Sequence, residues 1–250
     1  MGGPEYRVTA LPMGTLTVDS TVLVMGHGAG ATIEIPVWAA AVEGNGLRIL
    51  VDTGIRDIRW ANDRVCPCRQ APDEALPAAL AQIGWRCADV DIVINTHLHH
   101  DHVGFNDHFA GTRILVSADE WAAAHAPADE AQALLYEERA WLLPPLEEHS
   151  YELVTTDAYE VADGITLIQT PGHSAGHQSV LVRTAEGIVC VVGDAAGSAQ
   201  NFAAAVPGML HVSLSDAIAS IERVRNSCDR VLMAHDDRIA KYQSAGFPPL

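Results

Sequence analysis

Within the six residues His97 to His102, the segment Thr96-His97-Leu98-His99-His100-Asp101-His102 sets His97, His99 and His102 beside Asp101. Neutral imidazoles and a carboxylate at this density suit zinc or a similar divalent ion, and an irregular loop can aim alternate side chains at different points. One loop cannot surround two ions, so further ligands are expected at other strand ends. Three candidates stand there: His173 in Thr170-Pro171-Gly172-His173, Asp194 in Gly193-Asp194, and His235 after Val231–Ala234. Seven ligand-type residues exceed what one tetrahedral ion takes and fit two ions that share a carboxylate.

These residues need strands to carry them. Short β-branched or apolar runs predict strands at Tyr6–Leu11, Thr21–Met25, Pro36–Val42 and Leu47–Val51, with Asn45-Gly46 as a hairpin turn. Asp73 to Gly84 reads as a helix, and Asp91–Asn95 as a buried strand that delivers the histidine loop. Arg113–Val116 predicts another strand, and an Ala-rich helical stretch follows from Ala118 to about Leu143, interrupted at Pro127. The second half repeats the scheme, with strands at Tyr151–Val154, Ile165–Gln169, Val180–Arg183, Ile188–Val192 and Val231–Ala234. Its helix is Leu214–Arg225, with Ser213 or Ser215 as N-cap. Strands, then mixed strands and helices, twice over, predict two sheets packed face to face with helices outside, in a single domain over residues 1–250.

The composition bounds the partners. With 48% hydrophobic and 19% charged residues, the 250-residue chain is globular in class. Its formal charge of −17 repels phosphate backbones and anionic lipid, which argues against nucleic acid and membrane partners. The longest apolar run near the N-terminus, Val22–Met25, is too short for a signal core or a membrane span. Five cysteines, an odd number, are expected as thiols, and the chain is expected in the cytoplasm. Cys66-Pro-Cys68 has no second pair at metal-clip spacing.

His-x-His-x-Asp-His, then Gly-His, Gly-Asp and a last His at these strand ends resemble the metallo-β-lactamase superfamily. Within it the chain looks most like the N-acyl homoserine lactonase group. The matching stretches are Thr96–Gly104, Thr170–Ser179, Gly193-Asp194-Ala195, Asn201-Phe202 and Ala234-His235-Asp236. The resemblance extends to Ile35–Trp38 and to Val51-Asp52-Thr53-Gly54. It implies an α/β fold, an αββα sandwich, with two Zn2+ ions per chain in a cleft at one sheet edge. By position, His97, His99 and His173 would hold one ion, Asp101, His102 and His235 the second, and Asp194 would bridge them. It further implies attack on a lactone or related ester carbonyl by a hydroxide between the ions, with Asp101 as proton donor to the leaving alkoxide. The alternative within the fold is a thioesterase of the glyoxalase II kind, which shares the histidine loop.

Around the centre the sequence leaves several roles open. Asp52 either buttresses the histidine loop or serves only its turn, and His177 either orients the His173 loop or is structural. His100 stands where related sequences often carry an aromatic or apolar residue, and here it can line the pocket. His27, His108, His125, His149 and His211 have no identifiable partners and are expected at the surface or in packing. Segments 60–71 and 126–145 are expected to wall the cleft. Trp38, Trp60, Phe105, Phe202 and Met209 are either contacts for an acyl chain or core. One departure from the lactonases stands out: they carry a tyrosine three residues after the bridging aspartate, and this chain has Gly197.

Overall fold

In a computed structural model, the fold is described for residues 5–136, 141–147, 150–242 and 247–249. His149, and residues 137–140 within the expected helical stretch, lie outside that set. Twelve strands are named in chain order: β1 Arg7–Asp19, β2 Thr32–Gly44, β3 Leu47–Val51, β4 Cys68–Arg69, β5 Ile92–Ile94, β6 Arg113–Ser117, β7 Tyr151–Val154, β8 Ala158–Ala162, β9 Ile165–Gln169, β10 Gln178–Thr184, β11 Gly187–Gly193 and β12 Arg230–Met233. They form one sheet in the order β4-β1-β2-β3-β5-β6-β7 and a second in the order β12-β11-β10-β9-β8.

Period-two alternation divides the side chains of the first sheet between two cores. Ala40 and Val42 of β2, Ile49 and Val51 of β3, and Ile92 and Ile94 of β5 meet Leu167, Val180, Val182 and Val191 of the second sheet. The intervening Ala39, Ala41, Leu50 and Val93 face the other way, onto Leu76, Ala79 and Leu80 of the helix Leu76–Gln82. Ile221 and Val224 of the helix Leu214–Ser227 cover the second sheet. This is the two-sheet sandwich with outer helices that the sequence predicts. No helix among the described residues is long and apolar enough to cross a membrane.

Asn45 (φ 51°) and Gly46 (φ 77°) make the expected β2–β3 hairpin turn, and Ser213 caps the helix Leu214–Ser227. Two expectations fail locally. The run Thr21–Met25 is not a strand: residues Ser20–Leu23 form one helical turn. Asp19 drives that turn by accepting from the Thr21 backbone N–H (3.0 Å), the Thr21 hydroxyl (2.6 Å) and the Gly30 N–H (2.7 Å), which overrides β propensity. The helix expected from Asp73 begins only at Leu76, because residues 72–74 are spent in a turn before Pro77.

Candidate metal centre

Each candidate side chain stands just past the C-terminal end of a strand. His97, His99, Asp101 and His102 follow β5, His173 follows β9, Asp194 follows β11 and His235 follows β12. The structure brings all seven together. His97, His99 and His173 form one group whose ligand-type atoms lie within 4.8 Å of one another; Asp101, His102 and His235 form another, and His97, His102 and Asp194 a third. Asp194 spans the first two groups. One of its oxygens lies 3.3 Å from His102 Nε2 and 3.2 Å from His235 Nε2. The other lies 3.4 Å from His173 Nε2.

The outward ring nitrogens fix how these imidazoles face the centre. His102 Nδ1 donates to Asp52 (2.8 Å), His173 Nδ1 to the Leu210 carbonyl (2.9 Å) and His235 Nδ1 to the Pro36 carbonyl (2.8 Å). His97 Nδ1 donates to the Thr96 hydroxyl (3.0 Å), which itself donates to Asp52 (2.8 Å). These bonds set the tautomer that leaves Nε2 as an acceptor turned inward. The Nε2 atoms of His97 and His102 and one oxygen of Asp194 are buried without a hydrogen-bond partner, and His99 turns its Nδ1 to within 3.0 Å of His173 Nε2. A buried acceptor left unsatisfied is costly, and several facing one another are what divalent cations would satisfy. The donor set therefore fits a pair of metal ions.

The charge environment differs among the histidines. Burial, reinforced by neighbouring histidines, holds His97 and His99 well below the ordinary imidazole pKa, so both are neutral ligand forms. Burial opposes protonation of His102 as well, but Asp101, Asp194 and Asp52 outweigh it and raise that pKa well above the ordinary value. Asp194 is held well below the carboxylate range by His235, His102 and His173 despite its burial.

Of the two roles open for Asp52, the contacts fit the buttress. Its carboxylate also accepts from the Thr96 N–H (2.8 Å), and its backbone is left-handed at φ 61°, a conformation uncommon outside glycine. His177 acts on the His173 loop, its Nδ1 lying 2.9 Å from the Thr170 hydroxyl, and on Asp194. Its Nε2 accepts from the Asp194 N–H (3.0 Å), and burial pushes its pKa down to about 3, which keeps that nitrogen an acceptor. Gly193 permits this approach, since a Cβ there would sit 2.6 Å from His177 Nε2 at φ +61°.

A cavity of about 310 Å³ opens onto the centre, lined by His99, His100, Asp101, His173, Asp194 and His235. Its apolar wall is aliphatic: Leu16, Val18, Val22, Leu23 and Ile35 from the N-terminal arm, Val65, Leu134 and Leu135 from the two expected wall segments, and Leu210. None of the five large side chains considered from sequence lines it. Trp38, Phe105 and Phe202 are core, Trp60 packs edge-on to His100 with ring centroids 5.4 Å apart, and Met209 is 54% exposed. Gly197 borders the cavity. Cys66 does too, with its thiol pushed up to about 12 by burial and by Asp101, so it stays protonated. Three of the remaining histidines have partners: His125 Nδ1 donates to the Trp121 carbonyl, His211 Nδ1 to the Gly208 carbonyl, and His108 packs on Phe105.

Sequence reasoning missed Glu120. In the helix Ala118–His125 it is fully buried and accepts four hydrogen bonds, three of them from the loops that carry candidate ligands. Burial raises its carboxyl pKa, opposed by Ser174, Leu98, Tyr136 and Gly176. From sequence alone it is an ordinary acidic residue in a helix first turn.

Residues 33–235 match the family model described as the metallo-beta-lactamase superfamily. An N-acyl homoserine lactonase of Bacillus cereus is 31% identical over 225 residues, covering 86% of this chain and 85% of the relative. The N-acyl homoserine lactonase AttM of Rhizobium radiobacter is 29% identical over 266 residues, covering 96% and 97%. Among solved structures, an N-acyl homoserine lactone hydrolase with the product N-hexanoyl-L-homoserine bound at its catalytic metal centre aligns with a TM-score of 0.81 and 26% identity, over 96% of each chain.

Proposed function

The chain belongs to the metallo-beta-lactamase superfamily, and from that premise we propose that it is a dinuclear metal hydrolase that opens lactones or related esters. The observation that carries the reading is the set of unpartnered acceptors, the Nε2 atoms of His97 and His102 and one Asp194 oxygen, buried where loops from both sheets meet. In this reading residues 1–250 are one domain and work in the cytoplasm, an assignment supported by five free thiols. His97, His99 and His173 hold one ion, Asp101, His102 and His235 the other, and Asp194 lies between; zinc is the ion this donor set favours.

When bound, two such ions supply Lewis-acid polarisation of the ester carbonyl and make water acidic enough to attack at neutral pH. The chain's own residues do the rest. The aliphatic wall excludes water and holds an acyl or alkyl arm. Asp101, 6% exposed and at the cavity surface, takes the proton from the attacking water and passes it to the leaving alkoxide. His177 and Asp52 keep Asp194, His97 and His102 in register.

Among the described residues no lysine or arginine lines the cavity, which favours a neutral lactone over a polyanionic thioester. N-acyl homoserine lactones are the substrates the relatives point to, and quorum quenching is the role that follows. Gly197 leaves the cavity without a hydroxyl at that point, so slow turnover of these lactones is expected, with bulkier or more activated lactones and esters preferred. Turnover of a panel of N-acyl homoserine lactones, alkyl-substituted lactones, aryl esters and a glutathione thioester tests this. A protein that hydrolyses only the thioester contradicts the reading.

A further inference from the structure

Glu120 is not among the residues grouped at the centre, yet its contacts converge on one of the two positions. One carboxylate oxygen accepts from the Leu98 backbone N–H (2.9 Å) and the Tyr136 hydroxyl (3.0 Å). The other accepts from the Ser174 hydroxyl (2.6 Å) and the Gly176 N–H (3.2 Å). Leu98 stands between His97 and His99, and Ser174 directly follows His173. The Tyr136 ring packs edge-on against His99, with centroids 4.8 Å apart. One buried carboxylate thus joins the two loops, over seventy residues apart in sequence, that carry His97, His99 and His173.

The joint is built into the backbone as well. A Cβ on Gly176 would lie 1.9 Å from the Glu120 backbone nitrogen, so this loop reaches the helix start only because that residue has no side chain. The other position has a different support. Asp52 holds His102 directly (2.8 Å) and reaches His97 only through the Thr96 hydroxyl, while the hydrogen bonds of Glu120 touch nothing on Asp101, His102 or His235.

Resting on the dinuclear reading above, we propose that Glu120 is a positioning residue dedicated to the His97–His99–His173 metal position. It touches neither substrate nor metal; it holds the two loops at the separation at which three imidazoles converge. Residues that orient metal ligands in this way typically contribute 10–100-fold to metal affinity. A purely structural glutamate would weaken both positions together, or neither.

Glu120→Gln keeps the shape of the side chain but turns an NH2 group toward donors. Zinc titration of the chelator-stripped protein, with anomalous diffraction at the zinc edge to read each position, is the test. The parent takes two ions. Glu120→Gln should lose about 10–100-fold in affinity at the His97–His99–His173 position only, and Ser174→Ala should shift that same position in the same direction by less. Asp52→Asn, the comparison, should weaken the His102 position. If Glu120→Gln does not fold, Ser174→Ala and Tyr136→Phe carry the same reading. Equal weakening of both positions, or parent-like affinity at both, overturns the role of Glu120. A parent that binds fewer than two ions instead overturns the dinuclear reading on which it rests.

Discussion

Gly197 and Leu23 form a coupled pair whose replacement separates a steric from a chemical effect. A Cβ on Gly197 would meet Leu23 Cδ1 at 3.0 Å and His235 Cδ2 at 3.4 Å. Gly197 has no left-handed φ, so a side chain costs nothing in backbone strain there. The obstacle is the Leu23 isobutyl group, whose Cδ1 stands tightest against that Cβ. Gly197→Tyr alone therefore overpacks the site, at about 1–3 kcal/mol. Leu23→Ala alone removes a partly buried leucine and costs about 1–2 kcal/mol, below the range for a fully buried one. Combined, the two changes are expected to fit each other and to bring the new hydroxyl into the cavity, which Gly197 and His235 both line. One added oxyanion donor is worth on the order of a hundredfold in turnover. The double variant is thus expected to raise kcat on an N-acyl homoserine lactone by about ten- to a hundredfold over the parent, with each single variant near or below it. Initial rates across the four proteins, with Tm measured on each, give the cycle. If Gly197→Tyr alone gains as much as the pair, Leu23 does not obstruct; if the parent already matches the double variant, the missing hydroxyl is of no consequence.

The other expectations are simpler. Gly176→Ala should destabilise by about 3 kcal/mol, the upper part of the overpacking range, because the clash is with the Glu120 backbone; chemical denaturation reads it, and a loss under about 0.5 kcal/mol would mean that the loop is not held there. Asp101→Asn should slow alkyl esters and lactones far more than aryl esters at equal metal content, since a good leaving group needs no proton; equal losses would leave Asp101 without an acid role. Chelation should lower Tm by several degrees and metal should restore it, because ions that bind only the folded state stabilise it by mass action. An unchanged Tm would mean that the buried acceptors of His97, His102 and Asp194 are satisfied in another way.

The candidate ligands were legible because two signals coincide at each of them: a residue type that binds metal, and a position just past a buried strand. The hairpin at Asn45-Gly46 was legible for a similar reason, since its backbone needs residues that tolerate positive φ. Where one signal stood alone, it misled. Thr21–Met25 has strand composition, but the Asp19 carboxylate makes it a turn. Composition left the large side chains open between acyl contact and core; Trp38 and Phe202 are core, and the cavity is walled by aliphatic residues, most of them from the N-terminal arm. Glu120 gave no signal, since its partners at Leu98, Tyr136, Ser174 and Gly176 are dispersed along the chain and meet only in the folded state. β1 extends to Asp19 past Tyr6–Leu11 through a register shift between Pro12 and Gly14 that composition does not announce.

Acid release from a lactone, followed while zinc is added back to the chelator-stripped protein, tests the central claim most directly. The account predicts no ring opening without metal, little at one equivalent, and a steep rise that saturates at two, with one proton released per lactone opened. Full activity at a single equivalent, or no lactone opening once two ions are bound, would contradict it.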